Sequence, residues 1–379
     1  MSLTLAGEGI AVIGDAFADI VATNVGDISN WGSNALCSRI DVHTGGSSGN
    51  VVSNIARFTT TSPGSSEPHT AVRPVYICCL GDDDLGRYIL GRMSDRGVDT
   101  SLVQVVTSSP TGACAVLSSQ TAADRTLISS LGGNVLFSVP RLFSNEVFSR
   151  LARCKHVHVS NLFGVPPLVA DGEPSFAALL GELRRASPAL TVSIDPQSAH
   201  GDADAWLSAP IRACLAQCDV FLPNETEALE ISRAARRASA NHGAGGASLQ
   251  ESEIWESEIV KELSALLRRD ALLVIKHGAA GAKVFKNGAL VAAAPAVPVA
   301  VVDTTGCGDA FDAAFIFAWT SGVGADAALR FACAAGALRA SIVGGSASCP
   351  SWASVVDVAT RGRVDPDAPH ILAHMDAKL

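Results

Sequence analysis

The chain has 379 residues, more than the roughly 150 of one typical domain, so it makes two units or one large α/β unit with an appendage. Apolar residues make up 48% and charged residues 17%, which excludes disorder as a global description and supplies side chains for a large core. Lys and Arg number 28 against 37 Asp and Glu, a net charge of −9, so neither nucleic acid nor a membrane surface is expected as a partner.

In chain order, the opening MSLTLAGEGIAVIGD lacks a basic leader and carries Glu8, and it reads as the approach to a first strand over 10–13. An irregular stretch over 20–43 precedes a helix over 50–58, a Gly/Ser/Pro-rich loop over 59–70, a strand over 75–80 and a helix over 85–95. A second irregular stretch, 112–131, alternates in β fashion. Strands over 156–160, 191–194, 220–222, 272–275 and 282–285 then alternate with helices over 176–186, 225–238, 257–268 and 310–319. A loop over 239–252 interrupts them.

Short, nearly all-apolar strands between amphipathic helices are the pattern of βαβ units, hence an α/β fold with a mostly parallel sheet sandwiched by helices. The two irregular stretches read as strands off that sheet. Residues 1–19, 44–111 and 132–379 are assigned to a large α/β domain, and 20–43 with 112–131 to a small β lid. No apolar run reaches about 18 residues, because Pro295 and Pro298 interrupt one candidate and Asp309 and Asp312 another. Ten cysteines are scattered without C-x-x-C pairs and read as reduced thiols. Cys214 with Cys218, and His156 with His158, lack the further ligands of a zinc site and read as core residues.

The string DTTGCGD, from Asp303 to Asp309, runs straight into the last long helix pattern. Gly306 and Gly308 let a turn present successive backbone amides, and the positive end of the helix dipole arrives at the same point. A transferring phosphoryl group needs such donors, and a carboxylate at the helix start can take the proton of an attacking hydroxyl. Alone, a G-x-G-D string is equally a tight turn with an N-cap; the seven-residue string is more specific.

DTTGCGDAF resembles the second signature of the ribokinase (PfkB) family of carbohydrate kinases, and TGGSSGNVVSNIARF from Thr44 resembles the first. GDAFADI, LGDDDLGRYI, the DRT around Arg125, IDP, LPNETEA, IKHGAAGA and GGSASCP follow in family order over nearly the whole chain. The resemblance implies a ribokinase-like three-layer α/β/α sandwich with a β-rich lid closing over a sugar. It implies Asp309 as catalytic base and the amides of Gly306, Cys307 and Gly308 as the hole for the γ-phosphate of ATP. Asp19, assisted by Asp15, and the turn of Gly45, Gly46 and Asn50 are implied to hold the sugar; Arg125 reaches the sugar or the phosphate, or is an exposed strand arginine. Asn224 with Glu227 is implied to order Mg²⁺ and phosphates through water, and Lys276, Gly278 and Gly281 to border the nucleotide. A K⁺ site of carbonyls is implied at Asp303, Thr305, Arg339, Ile342, Gly344 and Ser348, with Arg339 lending its backbone. A homodimer through the lid is a further implication.

The chain has no G-x-x-x-x-G-K-[ST] loop, no HRD or DFG set, and no G-x-G-x-x-G after the first strand, so P-loop, protein-kinase and dinucleotide chemistry are not supported. A nucleoside acceptor is the alternative to a sugar within the family, and a non-catalytic sugar-binding protein is the alternative outside it. The closing Ala377-Lys378-Leu379 resembles the S-K-L address, leaving a peroxisome-like organelle and the cytoplasm as alternatives.

Overall fold

A computed structural model describes residues 9–26, 32, 34–59, 73–119, 125–199, 205–241, 256–342 and 349–363. Gly344, Ser348, the C-terminal tripeptide and nearly all of the two Gly/Ser-rich loops lie outside the described residues. The first half runs β1 (Ile10–Gly14), β2 (Phe17–Val25), β3 (Arg39–Gly45), α1 (Ser47–Thr59), β4 (Val75–Ile77), β5 (Cys79–Gly81), α2 (Asp84–Asp95), β6 (Gln104–Val106), β7 (Ala113–Ser119), β8 (Arg125–Ser130), α3 (Asn145–Ala152) and β9 (His156–Ser160). The second half runs α4 (Phe176–Ala186), β10 (Thr191–Asp195), α5 (Ala209–Leu215), β11 (Val220–Phe221), α6 (Glu225–Asn241), α7 (Glu256–Leu266), β12 (Leu272–Lys276), β13 (Ala282–Lys286), β14 (Ala289–Ala294), α8 (Cys307–Thr320), α9 (Ala325–Ala340) and α10 (Trp352–Arg361).

Eight strands form the central sheet in the order β14-β13-β12-β11-β10-β9-β1-β4. β12 through β4 are parallel to one another, and β13 alone runs against them, pairing antiparallel with both β12 and β14. The strands read as continuous apolar runs because helices cover both faces. Alternation along β1 shows it: Ala11 and Ile13 face one core cluster with α4, while Ile10 and Val12 face another with α1 and α8. This is a three-layer α/β/α sandwich. His156 and His158 are core residues of β9: both ring nitrogens of His156 and Nδ1 of His158 meet Thr191 or Ser193 hydroxyls at 2.7–2.8 Å, His158 Nε2 has no partner among the described residues, and burial pushes His158 down to about 3.

A second sheet, β3-β2-β7-β8, stands off the first. Only Asp15 and Ala16 separate β1 from β2, so the small sheet rises directly from a carboxyl end of the large one. It starts earlier than the sequence pattern suggests: β2 begins at Phe17 and β3 runs to Gly45, which places Asp19 and Gly45 on its strands. The expected single strand over 75–80 is two, β4 pairing with β1 and β5 with β6, because the chain leaves the main sheet at Cys78.

Candidate active site

The carboxyl ends of β1, β9, β10, β11 and β12 deliver Asp15, Asn161, Gln197, Asn224 and Lys276 to one cavity of about 970 Å³, which also takes in Asp19, Asn50, Glu227, Gly306, Gly308 and Asp309. Ligands of open α/β sheets bind in that crevice.

Asp309 lies in the first turn of α8 and is 7% exposed. Its carboxylate accepts from Ser47 Oγ at 2.6 Å and from Asn50 Nδ2 at 2.7 Å, both on the first turn of α1. Burial pushes its pKa up to about 7, the Ser47 and Asn50 hydrogen bonds opposing and the charges of Asp195 and Asp15 adding. A carboxylate so poised, held by donors that leave it facing the cavity, is suited to accept a proton near neutral pH. Asn50 Oδ1 is buried and has no hydrogen-bond partner among the described residues.

Gly306 caps α8 in the left-handed region at φ +75°, with no side-chain hydrogen bond to the helix. The turn before it is locked by Asp303, whose Oδ1 accepts the Thr305 amide at 2.8 Å, and by the Ala340 carbonyl at the end of α9, which accepts the Val302 and Asp303 amides at 2.8 and 3.2 Å. First-turn amides of a helix have no intrahelical acceptor, so Gly308 and its neighbours face the cavity as an anion site. Cys307 corrects the sequence reading. Its amide turns to the Thr304 carbonyl at 3.3 Å and its Sγ to the Asp303 carbonyl at 3.7 Å, and it is absent from the cavity wall.

Lys276 lines the cavity close to Gly308, and its ammonium Nζ is 3.2 Å from Asp195 and 3.1 Å from Asp312. A Cβ placed on Gly308 would lie 3.8 Å from that ammonium. Against the upward push of burial, Lys276 holds the Asp195 carboxyl down, whereas burial leaves Asp312 well above the usual range.

Asp15 is wholly engaged: it accepts from the Ser47 and Ser48 amides at 3.1 and 2.9 Å and from Asn161 Nδ2 at 2.8 Å. Asp19 remains open to the cavity, and burial, then the charges of Asp15 and Asp309, push it up to about 7. A Cβ on Gly45 would sit 2.3 Å from the Asp19 carboxyl, so the close approach needs glycine. Gly46 lines the cavity and Gly45 does not. Arg125, the first residue of β8, pairs in register with Ser118 of β7.

Asn224 and Glu227 form a reciprocal cap on α6: Asn224 N and Nδ2 donate to Glu227 at 2.9 and 2.6 Å, and the Glu227 amide donates to Asn224 Oδ1 at 2.9 Å. Burial, then Asp195, push Glu227 up to about 7. Among the described residues no cluster of three or more His, Cys, Asp or Glu could cage a metal; one carboxylate and one amide facing the cavity fit a hydrated Mg²⁺ held mainly by water and phosphate. Gly278 lines the cavity, while Gly281 packs against the Ala294 carbonyl of β14.

Of the expected monovalent-cation site, Gly344 and Ser348 lie outside the described residues, and a side chain stands among the others. The Arg339 side chain, 1% exposed, occupies the ground between Asp303 and Ile342: Nη1 donates to the Ile342 carbonyl at 2.7 Å and Nη2 is 3.6 Å from Asp303 Oδ2. Thr305 alone of the described members lines the cavity. Sequence reasoning missed Ser47, Asn161, Asp195, Gln197 and Asp312; the IDP string pointed to the neighbourhood of two of them.

Adenosine kinase of Schizosaccharomyces pombe is 25% identical over 257 residues, 67% of this chain and 70% of that protein. The structure of Arabidopsis thaliana ribokinase complexed with ribose and ATP matches with a TM-score of 0.73 at 22% identity, covering 93% of this chain and 99% of that one. A putative ribokinase II from E. coli, in complex with ATP and Mg²⁺, matches at 0.68 and 19% identity over 93% and 99%. These likenesses show a ribokinase-like fold. The model of the pfkB family of carbohydrate kinases matches residues 8–352, and the chain belongs to that family, as a phosphotransferase acting on an alcohol group.

Proposed function

We propose that the chain transfers the γ-phosphate of ATP to a hydroxyl of a small carbohydrate, of the ribose, fructose or 2-keto-3-deoxygluconate type. The observation that carries this reading is Asp309, fixed by Ser47 and Asn50 at the uncapped start of α8 and open to the cavity. Asp19 and the unpartnered Oδ1 of Asn50 accept from sugar hydroxyls, which donate well to such oxygens. Asp309 takes the proton of the attacking hydroxyl, and the amides at the α8 terminus hold the charge that gathers on the transferring phosphoryl oxygens. Lys276 adds positive potential close to Gly308.

Four carboxyls, Asp15, Asp19, Glu227 and Asp309, line the cavity, with Lys276 the lone Lys or Arg among the described lining residues, an environment hostile to a bare polyphosphate. Mg²⁺, supported by the ATP and Mg²⁺ complex of the E. coli neighbour, would supply the charge neutralisation, with Glu227 and Asn224 holding it through water.

A nucleoside acceptor is a second reading, favoured by the apolar wall that Phe17, Val116, Leu127 and Phe163 give the cavity, a surface for a flat base. An acceptor panel of ribose, fructose, 2-keto-3-deoxygluconate and adenosine, scored by ADP formation, tests both. A free sugar as the best acceptor supports the first, adenosine the second, and sugar binding without ADP neither. The opposite lid face leaves Ile40 and Ile128 64% and 60% exposed, which supports pairing of two chains through their lids; sedimentation at increasing concentration tests it.

A further inference from the structure

The resemblance to the family assigns K⁺ to the ground below the anion site, and the side chains found there do not suit a free cation. A monovalent-cation site is a set of oxygens turned toward a gap. Here the gap holds a guanidinium: Arg339 Nη1 on the Ile342 carbonyl at 2.7 Å, Nη2 at 3.6 Å from the Asp303 carboxylate, and the whole side chain buried. The Arg339 carbonyl faces the Ser341 and Ile342 amides at the end of α9 and is spent there. Nε and Nη2 make no hydrogen bond among the described residues, so the charge is met by one carbonyl and one carboxylate at ion-pair range.

The placement couples to the chemistry. A Cβ on Gly306 would lie 3.6 Å from Arg339 Nε and 3.7 Å from Asp309 Oδ2, so the guanidinium sits directly under the left-handed cap that opens the α8 amides. Asp303, its ion-pair partner, is the residue whose other oxygen holds the Thr305 amide and thereby the turn. The helix C-terminus supplies the negative end of a dipole to the same charge. An arginine is always charged and cannot exchange with solvent ions.

We propose that Arg339 is the chain's resident cation: its guanidinium takes the place expected for K⁺, holds the Asp303 turn and the Ile342 carbonyl together, and frees the enzyme from any monovalent-cation requirement. Arg339 is thus a positioning residue for the anion site, with no contact to substrate.

The test compares full-length wild type and Arg339→Met in K⁺ and in tetramethylammonium at equal ionic strength, reading both melting temperature and ADP formation. The melting temperature does not depend on the kinase reading, so the two ideas fail separately. Wild type is expected to melt and turn over identically in the two salts. Arg339→Met is expected to lose turnover in tetramethylammonium and to regain about tenfold, with a raised melting temperature, in K⁺ or in millimolar guanidinium. Activation or thermal stabilisation of the wild type by K⁺ would overturn the proposal, as would a Met variant equally active in both salts. Should that variant not fold, the wild-type comparison decides alone.

Discussion

Of the helices that begin at the cavity, α1 and α8 have first turns treated in opposite ways. At α1 the Ser47 and Ser48 amides are taken by Asp15, a carboxylate of the chain itself, and these bonds and Asn161 oppose, without cancelling, the upward push of burial on that carboxyl. At α8 the cap is Gly306, which offers no side chain, so the amides beyond Cys307, those of Gly308 and Asp309, stay available. One anion-binding end is filled by protein and the other is left for substrate. The same electrostatic feature therefore fixes the scaffold at α1 and serves the reaction at α8, and Ser47 links them by donating from the filled end to Asp309 at the open one.

Breaking the open end has the largest expected effect. Asp309→Asn keeps the shape but cannot take a proton, so kcat should fall by about 10²–10⁴, with acceptor affinity by calorimetry nearly unchanged. Undiminished turnover would remove Asp309 from the role of base.

Breaking the filled end should instead register in stability. Asp15→Asn exchanges one acceptor oxygen for an amide donor facing α1 amides, and urea unfolding should show a loss of about 2 kcal/mol. Asp309 has its folded pKa raised to about 7 against an unfolded value near 3.8, so the folded state binds the extra proton between those limits and stability falls as pH rises across them. Asp309→Asn should therefore be more stable than wild type at pH 8 and lose that advantage by pH 4. A destabilised Asn variant at pH 8 would mean that the Ser47 and Asn50 bonds outweigh burial.

The pH profile sharpens the same contrast. A free-enzyme base near 7 predicts that kcat/KM rises through neutrality and levels above it; a profile flat down to pH 5 would place the carboxylate in its ordinary range. The smallest effect is expected from Ser47→Ala, which removes one of two strong donors to Asp309 and should move that profile upward with a change in kcat under about tenfold.

Much of this frame was legible in the sequence, for identifiable reasons. The strand over 156–160 and the helix over 176–186 coincide with β9 and α4 because each is bounded by turn residues and has one unambiguous period. α9 was not anticipated: apart from the exposed Asp326–Arg330 pair in its first turns, its alanines leave it apolar nearly all round and buried against α8, too little polar surface to mark a period. β14 was missed although Asn287-Gly288, both at positive φ, is the strongest short hairpin signal. In the site, Asp309, Asn50, Asp19 and the Asn224–Glu227 cap could be read from local strings. Asp195, Gln197 and Asp312 could not, because their importance comes from meeting Lys276 and Asp309 across strands far apart in sequence. Arg339 shows the limit most sharply: a residue counted only for its carbonyl turns its side chain back into the site.

The most direct test is a crystal structure with a non-hydrolysable ATP analogue, Mg²⁺ and the best acceptor from the panel. The terminal phosphate should rest on the Gly308 and Asp309 amides at the start of α8, with an acceptor hydroxyl in hydrogen-bond reach of Asp309 on its far side. A terminal phosphate bound away from α8, out of reach of that carboxylate, would contradict the assignment of the open helix end.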